Sequence, residues 1–304
     1  PDLTDLIPLK DRIQQHQVLP LADFLEWGPC FYDAVTEDPS ERLKAFVSMR
    51  DETGTYAPLY VSANGLSWRR LEDRQWHPSG IDPAVSGFWN PIRNSYVIAA
   101  RPSWGDRRIA VYETQDWRSF SKPEVAMRPD GEDTPAAQVY GMPVFQYAQM
   151  FIGLLWIYHT DPSTKGGKFV HGKVDCQLAY SYNGWHFNRF NHSPFLPKIA
   201  PGNPGYGAIY PSSMVLSDCE TIRIYSSSSE GEHAQITSDP LCGQGCLLLH
   251  ELRKDGFVYL EPSGGPGSLT TRPLFFNGGQ LVINAQVPHG RLRLQITDGN
   301  CNPL

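Results

Sequence analysis

This 304-residue chain has no lysine- or arginine-rich run, and its net charge is -6. A surface that grips a phosphate backbone needs clustered positive charge, so nucleic acid is excluded as an expected partner. The longest apolar run, Met150 to Tyr158, falls far short of the ~20 residues that cross a bilayer. No membrane span is expected, and that run reads as a buried strand. Six cysteines are present, without two pairs at zinc-finger spacing. Cys30 and Cys176 sit in apolar runs and read as buried thiols; Cys242 and Cys246 are close enough in sequence for a local disulfide. There is no His-Glu-x-x-His, no phosphate-cradling glycine loop and no serine-hydrolase elbow. No leader pattern is visible. Compartment stays open on these grounds, with a secreted or periplasmic location carried forward as the expectation.

What the chain does have is glycine, proline and aromatics: 27 Gly, 26 Pro and 12% Phe, Trp and Tyr. That composition suits many short strands joined by tight turns. A motif also repeats. "LYVSANGLSW" at 59–68 is echoed by "AVYETQDWRSF" at 110–120 and "LAYSYNGWHF" at 178–187, and more loosely by "LLHELRKDGF" at 248–257. Each copy is a β-prone run, a turn with Asn-Gly, Asp or Asp-Gly, and an aromatic that can fold back over the turn.

A second motif precedes the first. "FYDAV" (31–35), "FWNPI" (88–92), "VYGMP" (139–143) and "GYGAI" (205–209) each set an aromatic before Asp, Asn or Gly. Each unit then reads strand, strand, strand, turn, strand, which gives four blades near 29–72, 85–125, 138–191 and 205–262. The expected fold is all-β, a five-bladed β-propeller with four blades clear in sequence. The propeller spans 1–262, with the second motif converging on its axis. Residues 263–304 hold three more strand-like runs after the Gly-rich "PSGGPGS". They read as a C-terminal β segment, either the start of a β-sandwich, which is preferred, or ring-closing strands.

The stretches "FYDAVTEDPSERLKAF", "FWNPIRNSYV", "VYGMPVFQYAQMFIGLLWIYH", "VDCQLAYSYNGWHFNRF" and "ELRKDGFVYLEPSGGPGSLTTRPLFFNGGQLVINA" resemble the five-bladed propeller glycoside hydrolases of families thirty-two and forty-three. A bacterial family-thirty-two-like branch is the nearest likeness. The turn motif also resembles the Asp-box of sialidases. The resemblance implies hydrolysis of a glycosidic bond in an oligo- or polysaccharide by acids on innermost strands. It implies no organic cofactor and leaves room for a cation such as calcium in the channel. Of the implied acids, Asp33 matches in the first blade. Asn90 before Pro91 stands where Asp-Pro is implied, and Gln138 begins the third-blade stretch without a Glu.

Glycoside cleavage needs one carboxylic acid and one carboxylate. Asp33 is the expected carboxylate and Glu230, in "SSSSEGEH", the expected acid. The expected substrate-binding set is Trp89, Asn90, Arg101, Tyr140, His159, Tyr210 and His233. Arg101 and His159 end second strands of successive blades, and flat aromatics suit sugar faces. Asp175 reads as structural. Two alternatives stay open: a propeller that binds carbohydrate without turnover, and a sialidase-like hydrolase, for which Arg101, Arg107 and Arg108 would have to gather.

Overall fold

The computed structural model describes residues 24–27, 30–52, 54–76, 81–102, 104–160, 171–197, 199–217, 219–235, 245–275 and 277–304. Among them the regular structure is strand, apart from one short 3-10 turn at Pro39–Glu41 capped by Asp38. No helix among the described residues is long and apolar enough to cross a membrane.

The strands form meanders in chain order. The first sheet holds β1 (Phe24–Trp27) and β2 (Phe31–Tyr32), both paired with β3 (Leu43–Asp51), then β4 (Gly54–Ser62) and β5 (Arg69–Trp76). The second holds β6 (Ile81–Asn90), β7 (Ser95–Pro102), β8 (Ile109–Thr114) and β9 (Glu124–Met127). In the third, β10 (Ala137–Gly141) and β11 (Val144–Tyr147) share the edge of β12 (Met150–Thr160), followed by β13 (Gly172–Ser181) and β14 (Asn188–Arg189). A fourth set, β15 (Ala208–Ser217), β16 (Thr221–Ser229) and β17 (Gly245–Arg253), meets the third through one parallel bridge, Val174 to Ala208. The expected strand–strand–strand–turn–strand order holds in the first three sheets.

Successive side chains of a strand point to opposite faces, and here both faces are buried. On β7, Tyr96, Ile98 and Ala100 join Phe46, Leu59, Val61 and Trp76 of the first sheet in one core. Val97 and Ala99 join Val139, Leu155 and Ile157 of the third sheet in another. The next face of the third sheet supplies Tyr140, Trp156, Tyr158 and Val174 to a further core with Ala208 of β15. The second and third meanders are therefore each sandwiched between their chain neighbours, which is how propeller blades pack.

The chain divides into two compact units, one of residues 1–215 and 223–251 and one of residues 216–222 and 252–304. Within the second unit, no described residue beyond β17 lies in a strand. The runs expected as strands at 263–304 form only an isolated bridge between Thr297 and Pro303. Leu292, Leu294 and Ile296 alternate like a strand but stay more than half exposed. A strand exists through a partner's hydrogen bonds, and these runs have no ladder of their own. Cys176 is buried as expected, whereas Cys30 is exposed. Cys242, one half of the suggested disulfide, lies outside the described residues.

The repeated turn is one device built three times. In the first copy, Asn64 Oδ1 accepts from the N–H groups of Leu66 (2.8 Å) and Ser67 (2.9 Å), while Ser62 Oγ accepts from Gly65 (2.9 Å). In the second, Asp116 Oδ1 accepts from Arg118 and Ser119, both at 2.8 Å, and Thr114 Oγ1 accepts from Trp117 (2.9 Å). In the third, Asn183 Oδ1 accepts from Trp185 (3.0 Å) and His186 (2.9 Å), and Ser181 Oγ accepts from Gly184 (2.9 Å). The shared signature is a hydroxyl, one residue, Asx, then a residue at positive φ: Gly65 (73°), Trp117 (61°) or Gly184 (66°). The local Asx hydrogen bonds, more than an Asn-Gly hairpin, define the turn. The looser fourth copy lacks the hydroxyl, and there Asp255 itself takes the positive φ of 58°.

The two glycines are not equivalent. A Cβ on Gly65 would meet only Leu43 Cδ1 at 3.4 Å, whereas one on Gly184 would lie 2.6 Å from Asn90 Nδ2 and 3.0 Å from the Phe151 ring. Gly65→Ala should cost about 1 kcal/mol, the usual strain of a Cβ in the left-handed region. Gly184→Ala should cost more, because it adds a clash to the same strain. Urea titration of both variants checks this, and equal midpoints would show that the contact at Gly184 is not close.

Candidate functional site

The sequence-selected residues part into two groups at opposite ends of the blades. β7 begins at Ser95, paired with Asn90, and ends near Arg101, paired with Asp82. Six residues at ~3.3 Å each separate those ends by about 20 Å.

Asp33, Trp89 and Asn90 belong to the first end. Asp33 is 2% exposed. Its Oδ1 accepts from the N–H groups of Val35 (3.1 Å) and Thr36 (3.2 Å); its Oδ2 accepts from Lys44 Nζ (2.7 Å) and Tyr96 Oη (2.7 Å). Lys44, 1% exposed, donates also to the Glu41 carbonyl. Burial, and then the hydrogen bond to the Asp33 carboxylate, push the Tyr96 hydroxyl well up, so it stays a donor. The carboxylate expected at the sugar therefore has both oxygens engaged by protein donors, and its charge is met by a buried ammonium. Asn90, fully buried, repeats the same turn: its Oδ1 accepts from Ile92 (3.1 Å) and Arg93 (3.3 Å), and its Nδ2 donates to the Asn183 carbonyl (2.8 Å). That last bond ties the second sheet to the repeated turn of the third. Trp89 packs edge-on to Tyr96 against the first core.

The second motif thus mixes different places. "FYDAV" and "FWNPI" close first strands with an Asx turn, whereas "VYGMP" runs through β10 toward β11 and "GYGAI" opens β15. The four copies therefore take different places along their strands.

The other selected residues gather at the opposite end. Arg101, 2% exposed, donates from one terminal nitrogen to the Tyr140 carbonyl (3.1 Å) and lies 4.2 Å over the Tyr140 ring. Tyr140 packs edge-on to His233 (4.5 Å) and against Tyr210 (5.9 Å), and the Tyr210 hydroxyl pairs with His233 Nδ1 at 2.8 Å. Burial, then the neighbouring Tyr140 and Tyr158, raise the Tyr210 hydroxyl far above its ordinary range, with Arg101 pulling weakly the other way. His159 ends β12 and bonds Asp175 Oδ2 through Nε2 (2.9 Å); β-strand alternation turns this pair to the face opposite Tyr158. Asp175, read as structural, is thus the residue that orients His159.

Glu230 follows β16 and is half-buried. Its loop is pinned by Gly207, whose N–H donates to the Ser229 carbonyl (3.1 Å). A Cβ on Gly207 would lie 2.1 Å from the Gly231 oxygen, so glycine there permits the close approach. His233 N–H then bonds the Gly172 carbonyl (2.9 Å).

Sequence reasoning gave too little weight to Tyr158, Arg107 and Glu232. The Arg107 guanidinium stands over the rings of both Tyr140 (5.7 Å) and Tyr158 (5.5 Å) and hydrogen-bonds Gln138 Oε1. Burial raises the Tyr158 hydroxyl; Arg107 opposes that, while Tyr140 and the Glu232 carboxylate add to it. Glu232 therefore lies within electrostatic reach of the cluster. Arg108 is bound to Asp106 and Trp104 instead, so the three arginines of a sialidase-like site are not gathered.

A possible cation-binding set among the described residues is Asp130, Asp133 and His192, whose ligand atoms lie within 4.8 Å of one another. Arg189 bonds both Asp133 oxygens, at 2.5 and 2.7 Å, and approaches Asp130 at 3.5 Å. A guanidinium already supplies the positive charge there, and the set fits Arg189 better than an added ion.

No family model matches the chain, and no curated protein matches it. Solved structures of similar shape do exist. A Bombyx mori GH32 beta-fructofuranosidase is 11% identical with a TM-score of 0.49, over 77% of this chain and 48% of its own. Fructan 1-exohydrolase IIa of Cichorium intybus is 11% identical with a TM-score of 0.46, over 81% and 46%. An alpha-L-arabinanase of Penicillium chrysogenum, complexed with arabinobiose, is 9% identical with a TM-score of 0.42, over 77% and 64%. The chain spans about half to two-thirds of the length of these proteins. At such identities the likeness is one of fold.

Asp33→Asn tests the role its contacts imply. Removing the anion strands the Lys44 ammonium in a buried site, which typically costs about 3–5 kcal/mol. Asp33→Asn with Lys44→Met should regain much of that loss. Urea unfolding checks both, and a single variant as stable as wild type would show that the buried pair does not hold this corner.

Proposed function

We propose that this protein is a carbohydrate-active propeller that hydrolyses a glycosidic bond at the end where Arg101, Tyr140, Tyr210 and His233 meet. One observation carries the reading: four residues singled out independently in the sequence come together with the Glu230–Glu232 loop at one end of the sheets. Tyrosine rings with polar tips match a sugar's apolar face and hydroxyl rim. Burial keeps the Tyr210 and Tyr158 hydroxyls protonated. In this reading Glu230 protonates the leaving oxygen, and Glu232 is the carboxylate that attacks or activates water. Asp33 takes no part in the chemistry.

A second reading, carbohydrate binding without turnover, is favoured by the neutralised state of Asp33, the residue that matches the first-blade acid of the resembling hydrolases.

Kinetics on aryl glycosides and on plant and algal oligosaccharides separate the two. Glu230→Gln and Glu232→Gln should each lower kcat by about 10²–10⁴-fold with binding retained. A leaving group that needs no protonation should partly rescue Glu230→Gln alone. Binding by wild type without turnover on any substrate would leave the second reading standing.

A further inference from the structure

Arg107 differs from most arginines around it. Arg69, Arg70, Arg74, Arg93, Arg118 and Arg189 each pair with a carboxylate of this chain. Arg107 has no carboxylate within ion-pair distance among the described residues; its protein hydrogen-bond partner is the neutral amide of Gln138. It is also half-buried, over the rings of Tyr140 and Tyr158. Two aromatic rings, at 5.7 and 5.5 Å, and one amide surround the guanidinium without neutralising it. One terminal nitrogen goes to Gln138, and the other N–H donors remain for a ligand. A partly desolvated cation, oriented and lacking a counter-ion, is matched best by a planar anion that accepts two parallel hydrogen bonds.

Resting on the proposed carbohydrate site, we infer that its ligand is a sugar carrying a carboxylate, and that Arg107 binds this carboxylate. Glu232, whose carboxylate already acts on Tyr158, would repel an anion placed at its own position. The sugar acid therefore sits on the Arg107 side, with the scissile bond toward the 230–232 loop. The ligand is a uronic acid or a nonulosonic acid such as sialic acid; both present a carboxylate on a pyranose ring, and the test separates them.

Calorimetry with the full chain would compare three probes: an oligosaccharide containing uronic acid, the same oligosaccharide with its carboxyls reduced to alcohols, and a sialyl oligosaccharide. Wild type should bind one of the acidic probes. Reduction of a bound uronate should weaken binding about ten- to hundredfold, the scale of a charge-assisted hydrogen bond. Arg107→Gln should bind acidic and reduced forms alike, and Arg107→Lys should recover only part of the preference because it lacks the fork. A melting temperature within the wild-type range shows that either variant is folded. If wild type binds acidic and reduced forms equally, or Arg107→Gln keeps the preference, the assignment of Arg107 is overturned while the carbohydrate site stands. If none of the probes nor any neutral oligosaccharide binds, the carbohydrate reading falls with it.

Discussion

Burial on both faces is the constraint from which the rest of this molecule follows. A strand must place alternate side chains on opposite sides, and a sheet with one wet face would be half polar. β7 instead reads Ser-Tyr-Val-Ile-Ala-Ala-Arg-Pro, buried throughout. Its even-numbered apolar positions serve one core and its odd-numbered ones another. Such a strand is stable only between two other sheets, so the meanders stack face to face in chain order. The ends of the strands are then the places where polar chemistry can gather.

The two ends are put to different uses. At one, Asx side chains close the chain on itself: Asp33 and Asn90 end first strands, and Asn64, Asp116 and Asn183 end third strands. Asn90 links the two series by bonding the Asn183 carbonyl. These groups spend their polar capacity on backbone N–H groups, which stiffens the corners and leaves little for a ligand. At the other end the polar groups face one another across sheets. Arg101 reaches Tyr140 from the second sheet to the third, and Tyr140 reaches Tyr210 of β15 and His233 of the loop after β16.

That division explains how much could be read beforehand. The strand–turn order was legible because the hydroxyl–x–Asx signature is local and repeats within a few residues. Arg101 and His159 both end second strands, yet equal sequence position did not mean equal spatial position: Arg101 faces the third sheet and bonds Tyr140, whereas His159 faces back toward the second sheet and bonds Asp175. The contacts of Asp33 were not legible for a similar reason. An aromatic followed by Asp, Asn or Gly looks alike in four places, yet only the copies with an Asx side chain cap a strand; Gly141 and Gly207 have none. Nothing local announces Lys44 and Tyr96, which arrive from eleven and sixty-three positions away to occupy the same oxygen. The strands expected at 263–304 failed on similar grounds, since alternation records a wish to pair and not the presence of a partner.

The electrostatics of the ligand end follow from who supplies the counter-charge. Where a strand cation meets an anion of a neighbouring turn, as with Lys44 and Asp33 or Arg189 and Asp133, the charges close on each other. Where aromatic rings flank a cation instead, its charge is left for something else to meet. Arg107 is held in that second way, beside tyrosines whose hydroxyls burial keeps protonated. In the proposed reading, that unmet charge beside a loop carrying two glutamates is what would select an anionic polyhydroxylated ligand. The same residues closed by a carboxylate of the chain would be one more corner.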